Sequence, residues 1–260
     1  MAKPKMHDTP PMLRLTAKHF VDQLNTHRSP DPDDAKGAQR YFIHGEGDVF
    51  IGVPMGQVFA LAKTFIDMPL SEIEKLLENK IHEVRVGAVS IMDFQARRKK
   101  TLEGRRKELF DLYIRRHDRI NNWDLVDRSA PYVVGGYLFD KPRDVLYKLA
   151  RSKNVWERRT AIVSTYFFIR QGQVADTFNI AELLLNDDHD LIHKAVGSWL
   201  RAAGGADQPR LLKFLDQHAA TMPRVALRYA IEHLNDKQCA YYLGIQKADL
   251  LQKSIGTRRS

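Results

Sequence analysis

Lys194-Ala195-Val196-Gly197-Ser198-Trp199-Leu200-Arg201 is the stretch on which the fold can be read. A basic residue opens it and small and aliphatic residues follow. Apolar positions recur at three- and four-residue spacing, as on a helix with one buried face. The same opening recurs at Arg85-Val86-Gly87-Ala88-Val89, at Arg159-Thr160-Ala161-Ile162-Val163 and at Arg224-Val225-Ala226-Leu227. Asn122-Trp123-Asp124-Leu125-Val126-Asp127 fills the gap between the first two. The interval is then about 30–40 residues, the range of helical-pair repeats. Small residues such as Gly87, Ala161, Gly197 and Ala226 allow close helix approach. The sequence therefore predicts an all-α protein, a stack of helical pairs curving into a concave surface.

Outward from these repeats, Leu13 to His27 reads as an amphipathic helix, which Ser29-Pro30-Asp31-Pro32 ends while offering a cap to the next, through Tyr41-Phe42. His44-Gly45-Glu46-Gly47-Asp48 is a polar loop. Val49-Phe50-Ile51-Gly52-Val53-Pro54 is the single candidate strand, stopped by its proline. The expected organisation is a loose tail over residues 1–12, one repeat domain over 13–246 and a helix end with a basic tail over 247–260. At 43% hydrophobic and 28% charged residues, the composition argues against wholesale disorder. No apolar run approaches a membrane span. Met6-His7-Asp8-Thr9-Pro10-Pro11 is no signal-peptide core, so a cytoplasmic protein is expected, and separately a monomer. The single cysteine, Cys239, excludes an intramolecular disulfide or a Cys-rich metal site.

The formal net charge of +9 implies attraction to polyanions, nucleic acid before acidic membrane surfaces. If the repeats are in register, Arg85, Arg159, Lys194 and Arg224 line one face. Such a ladder suits a duplex backbone, because each phosphate contact releases condensed counterions. The plainer alternative is that these cations pair with neighbouring acids, Glu83 and Glu157 among them.

Three segments could carry chemistry. Trp123 and Asp127 are four apart and share a helix face, with Asp124 adjacent in angle. A carboxylate beside an aromatic plane can stabilise a sugar cation and orient water. The alternative is a helix start, with Asn121 or Asn122 as N-cap and acids in the first turn. Trp156 and Arg159 could present an indole and a guanidinium together, next to Arg158. Trp199 lies between Lys194 and Arg201. His189 and His193, with Asp187, Asp188 and Asp190 nearby, lack a third ligand at zinc spacing, so no metal is expected. No phosphate loop, Ser-His-Asp or Cys-His arrangement is legible.

From about Tyr41 to Leu243 the chain resembles the AlkD-like DNA alkylation repair family. The matching stretches are Phe50-Ile51-Gly52-Val53-Pro54, Asn122 to Asp127, Val155 to Ile162, His189 to Gly197 and Met222 to Ile231. The resemblance implies a curved superhelical stack of HEAT-like helical repeats. It implies a cofactor-free DNA glycosylase that removes N3-methyladenine and N7-methylguanine from double-stranded DNA without a base-flipping pocket. The family's catalytic aspartate falls on Asp127, its first active-site tryptophan on Trp123 and its phosphate-gripping arginine on Arg159. A further backbone-contacting arginine falls on Arg201. Arg85, Trp156, Arg158, Lys194, Trp199, Arg224 and Arg228 complete the expected DNA-binding set. One position departs: the family commonly has tryptophan where Ser198 stands, and Trp199 follows it. One step along a helix turns a side chain by about 100°. The alternative function is a non-catalytic HEAT-repeat module that holds DNA.

Overall fold

The computed structural model describes residues 15–31, 33, 35, 37 and 47–245. Residues 33, 35 and 37 are helical; the rest of the helix expected through Tyr41-Phe42, the tails at 1–12 and 247–260 and most of the loop before Asp48 lie outside the described residues. The chain is all-α, built from α1 (Ala17–Asn25), α2 (Met55–Thr64), α3 (Leu70–Leu77), α4 (His82–Arg97) and α5 (Glu103–Arg115). Next comes α6 (Trp123–Ala130), which continues through a π turn (Pro131–Gly135) into Gly136–Leu138. Then follow α7 (Asp144–Ala150), α8 (Val155–Arg170), α9 (Ala175–Leu184), α10 (Asp190–Ala206), α11 (Gln208–His218), α12 (Arg224–Ile231) and α13 (Asp236–Gly244).

Two layers result. Helices α2, α4, α6, α8, α10 and α12 pack one on the next as an inner layer. Helices α3, α5, α7, α9, α11 and α13 dock against them from outside. One apolar core runs between the layers from Ala17 to Tyr242. The small residues of the repeats explain the tight inner contacts. A Cβ on Gly197 would lie 2.5 Å from the Ala226 carbonyl oxygen, so α10 and α12 meet almost backbone to backbone. A Cβ on Gly135 would lie 2.1 Å from the Ser164 carbonyl oxygen, so the π turn touches the α8 main chain itself.

The π turn has a cause in the sequence. Pro131 has no N–H to give the carbonyl four residues back, which is that of Asp127, and its ring crowds that carbonyl. The helix widens instead of breaking, and resumes after Gly135.

Two local expectations are corrected. The first described helix begins at Ala17, capped by the Thr16 side chain, which accepts from the His19 N–H at 3.2 Å. The candidate strand reduces to one parallel bridge between Val49 and Ile81. The N–H groups of Ile51 and Gly52 find a side chain in place of a second strand. Glu83 Oε1 accepts from Ile51 at 3.0 Å and from Gly52 at 2.9 Å. Gly52 supplies the left-handed turn at φ +74°, and Pro54 starts α2.

Candidate active site on the inner layer

Asn122 caps α6, its Oδ1 accepting the Trp123 N–H at 2.8 Å. The cap points the first turn of α6, with Trp123, Asp124 and Asp127, along the inner layer between α4 and α8. Asp127 meets α8. Arg159 Nε donates to Asp127 Oδ1 at 2.8 Å and its Nη2 to Oδ2 at 2.7 Å, a bidentate fork that fixes the carboxylate plane. Arg159 Nη1 donates to the Leu191 carbonyl at 2.7 Å, so the fork is anchored to α10 as well. The Asp127 side chain is 29% exposed and that of Arg159 only 7%. Burial pushes the Asp127 carboxyl above the ordinary carboxylate range; Arg159 opposes this and the nearby Asp124 adds to it. Trp123 is half-buried against the core beside it.

Asp124 meets α4 instead. His82 is fully buried, its Nε2 2.8 Å from Asp124 Oδ2 and its Nδ1 3.1 Å from Asp48 Oδ2. Burial works against the charged ring, but the two carboxylates outweigh it and raise its pKa to about 9, with Arg85 opposing. The imidazolium thus ties the loop before α2 to the first turn of α6. A group whose folded pKa lies above its unfolded value stabilises fully below the unfolded pKa and loses that contribution as pH rises through the folded one. Unfolding free energy is therefore expected to decline from about pH 6.5 to about pH 9, and His82→Gln is expected to flatten that limb. Urea titrations across this range check it; equal slopes for both proteins would remove the clamp.

The expected basic ladder is not built as such. Arg85 is 3% exposed, ion-paired with Asp48 and donating from Nη1 to Asn121 at 2.9 Å, so it faces the protein and not a ligand. Arg159 is turned onto Asp127 and not onto Glu157, and each of its guanidinium nitrogens is engaged. Asp127 and Leu191 thus take three of its five N–H donors. Arg158 is likewise engaged, by Asp187 at 2.5 and 3.1 Å and by two main-chain carbonyls. Trp156 is a core residue, 8% exposed. Lys194 pairs with Asp190 at 2.7 Å and Arg201 with Glu232, both part-exposed. Arg224 is exposed and donates to the Leu243 carbonyl at 2.7 Å; Arg228 is exposed. His189 caps α10 and His193 contacts the Asp187 carbonyl.

Ser198 stands in one row with Lys194 and Arg201 on α10, while Trp199 is turned toward α8. Its indole N–H donates to the Val163 carbonyl at 3.1 Å and its ring lies 6.2 Å from that of Tyr166. Tyr166 had no signal in the sequence beyond its helical spacing from Arg159. His82 and Asp48 were also missed, because their partners lie on other helices and no local spacing joins them.

A family model described as DNA alkylation repair enzyme matches residues 22–234. The chain belongs to the DNA alkylation repair family. The family places it in the repair of alkylated DNA. A solved structure described as a predicted DNA alkylation repair enzyme from Enterococcus faecalis matches with a TM-score of 0.65 and 16% identity. The match covers 79% of this chain and 97% of that one, and shows a shared fold. No curated protein matches the chain. Among the described residues of this DNA alkylation repair family member, no helix is long and apolar enough to cross a membrane.

Proposed function

We propose that the protein is a DNA glycosylase that hydrolyses the N-glycosidic bond of cationic alkylated purines, N3-methyladenine and N7-methylguanine, in duplex DNA. The observation that carries this reading is the Asp127 carboxylate, held on both oxygens by Arg159 and partly open on the inner layer beside Trp123. Alkylation gives the purine a positive charge, so it leaves with the electron pair of the glycosidic bond as a neutral base. The sugar left behind is cationic, and the protein must stabilise that charge more than protonate a leaving group. Asp127 faces the sugar, stabilises the cation and orients the water whose oxygen bonds to the anomeric carbon as its proton passes to the carboxylate and on to solvent. Trp123 adds cation–π attraction of about 0.5–2 kcal/mol. Arg159 acts through Asp127: it keeps the carboxylate ionised and in plane. No base pocket is invoked.

Release of free methylated base from alkylated duplex by the purified protein tests the reading, and no release would overturn it. The pH profile adds a second readout. Only the ionised carboxylate serves, and burial raises its pKa, so excision should fall as pH drops through a value above that of an ordinary aspartate. Arg159→Gln should move this acidic limb to higher pH. A limb at the ordinary aspartate value that ignores Arg159 would contradict the role given to Asp127.

A second reading, a binding module without turnover, is favoured by one observation. The row of Lys194 and Arg201 carries Ser198 and no ring, and Trp199 is tied to Val163. Binding without base release would support it.

A further inference from the structure

Arg128 follows Asp127 in the chain and is rotated toward α4. Its Nη1 lies 2.9 Å from Asp93 Oδ2 and its Nε donates to Ser90 at 3.1 Å. Arg97, one turn below Asp93 on the same helix, donates from Nε to Asp93 Oδ1 at 2.8 Å. Asp93 is fully buried, yet two guanidiniums share it where one would neutralise it. Each is also laid on aromatic faces: Arg97 over Tyr132 at 3.8 Å, Arg128 over Phe59 and Phe94 at 4.8 and 4.7 Å. The arrangement fixes the inner edges of both forks and leaves outer nitrogens without a partner among the described residues: both Nη of Arg97 and Nη2 of Arg128. The Arg97 side chain is 44% exposed and that of Arg128 18%, so these nitrogens reach solvent.

We propose that Arg97 and Arg128 form a preorganised clamp for a backbone phosphate of duplex DNA on the α4 side of Asp127. A planar fork with its rotamer already fixed loses little entropy on gripping a phosphate, and stacking on rings adds rigidity. One surplus positive charge remains after Asp93 is neutralised. The clamp adds a phosphate contact beside the Arg159 guanidinium, which holds Asp127 and the Leu191 carbonyl. The inference rests on the reading of the inner layer as the DNA-binding face, but not on base excision.

The test is binding of a short undamaged duplex over a range of salt concentrations. Arg97→Gln is expected to lower affinity about tenfold at low salt and to reduce the slope of log affinity against log salt by about 1. Lys107→Gln removes one charge from the outer layer, where Lys107 pairs with Asp111, and should leave the slope unchanged. An Arg97→Gln slope equal to that of wild type overturns the clamp, as does failure of the wild type to bind duplex. If Arg97→Gln does not fold, Arg97→Lys keeps a charge beside Asp93 and loses the fork; it should still bind more weakly, and wild-type affinity would overturn the clamp. Base release, measured separately, divides the failures. Release with an unaltered slope leaves the glycosylase and removes the clamp, and the reverse result leaves the clamp and removes the glycosylase.

Discussion

Asp127→Asn is expected to bind alkylated duplex nearly as well as the wild type and to release N7-methylguanine at least about a hundredfold more slowly. The amide has almost the shape of the carboxylate and still accepts one hydrogen bond from Arg159, so the site keeps its form. What disappears is the negative charge opposite the developing sugar cation, which is the part of the site specific to the transition state. The change leaves Arg159 buried with no carboxylate opposite it, a cost to stability of about 3 kcal/mol. The double variant Asp127→Asn with Arg159→Gln removes both charges and should recover much of that loss while staying inactive. Base release from N7-methylguanine duplex, beside a melting curve of each variant, reads the two effects apart. Excision within a few-fold of wild type would end the case for Asp127.

The second large effect is expected far from any ligand. Gly135→Ala places a methyl 2.1 Å from the Ser164 carbonyl oxygen, a main-chain atom of α8 that cannot swing aside. The helices must separate, at about 3 kcal/mol by the usual cost of overpacking. Because α6 carries Asp127 and α8 carries Arg159, excision should fall together with stability. Gly136→Ala is the control: its added carbon would meet only Phe167 atoms at 3.5 Å or more, an ordinary contact. Chemical denaturation of both variants checks this, and equal midpoints would show that the close approach of α6 and α8 is not needed.

These two residues mark what a sequence yields and what it withholds. The repeat was legible because small residues recur at one phase, and the structure uses them where the inner helices touch, as at Gly197. Trp123 and Asp127 were legible as a pair because helical spacing alone brings them to one face. The fate of the arginines was not. Whether Arg85 or Arg159 meets solvent depends on Asp48 and Asp127, which reach them from other elements, and periodicity along one helix carries no information about that. Arg128 was passed over for the same reason: its partners Ser90 and Asp93 lie on α4. Pro131 was a local signal that went unread, since a proline inside a helical pattern usually ends the helix, and here it only widens one turn.

That widened turn has a consequence for how such a site tolerates a change of length. Taking one residue out of 131–135 would let the helix close into regular α geometry. Four α residues advance by about 400°, nearly the same as the five residues of the wider turn, so Trp123 and Asp127 would keep their setting around the axis relative to Gly136–Leu138. The turn thus holds one spare residue between two packed ends, and the aim of the acid does not depend on it. A single-codon deletion inside this segment is one that a lineage could absorb without turning the carboxylate away.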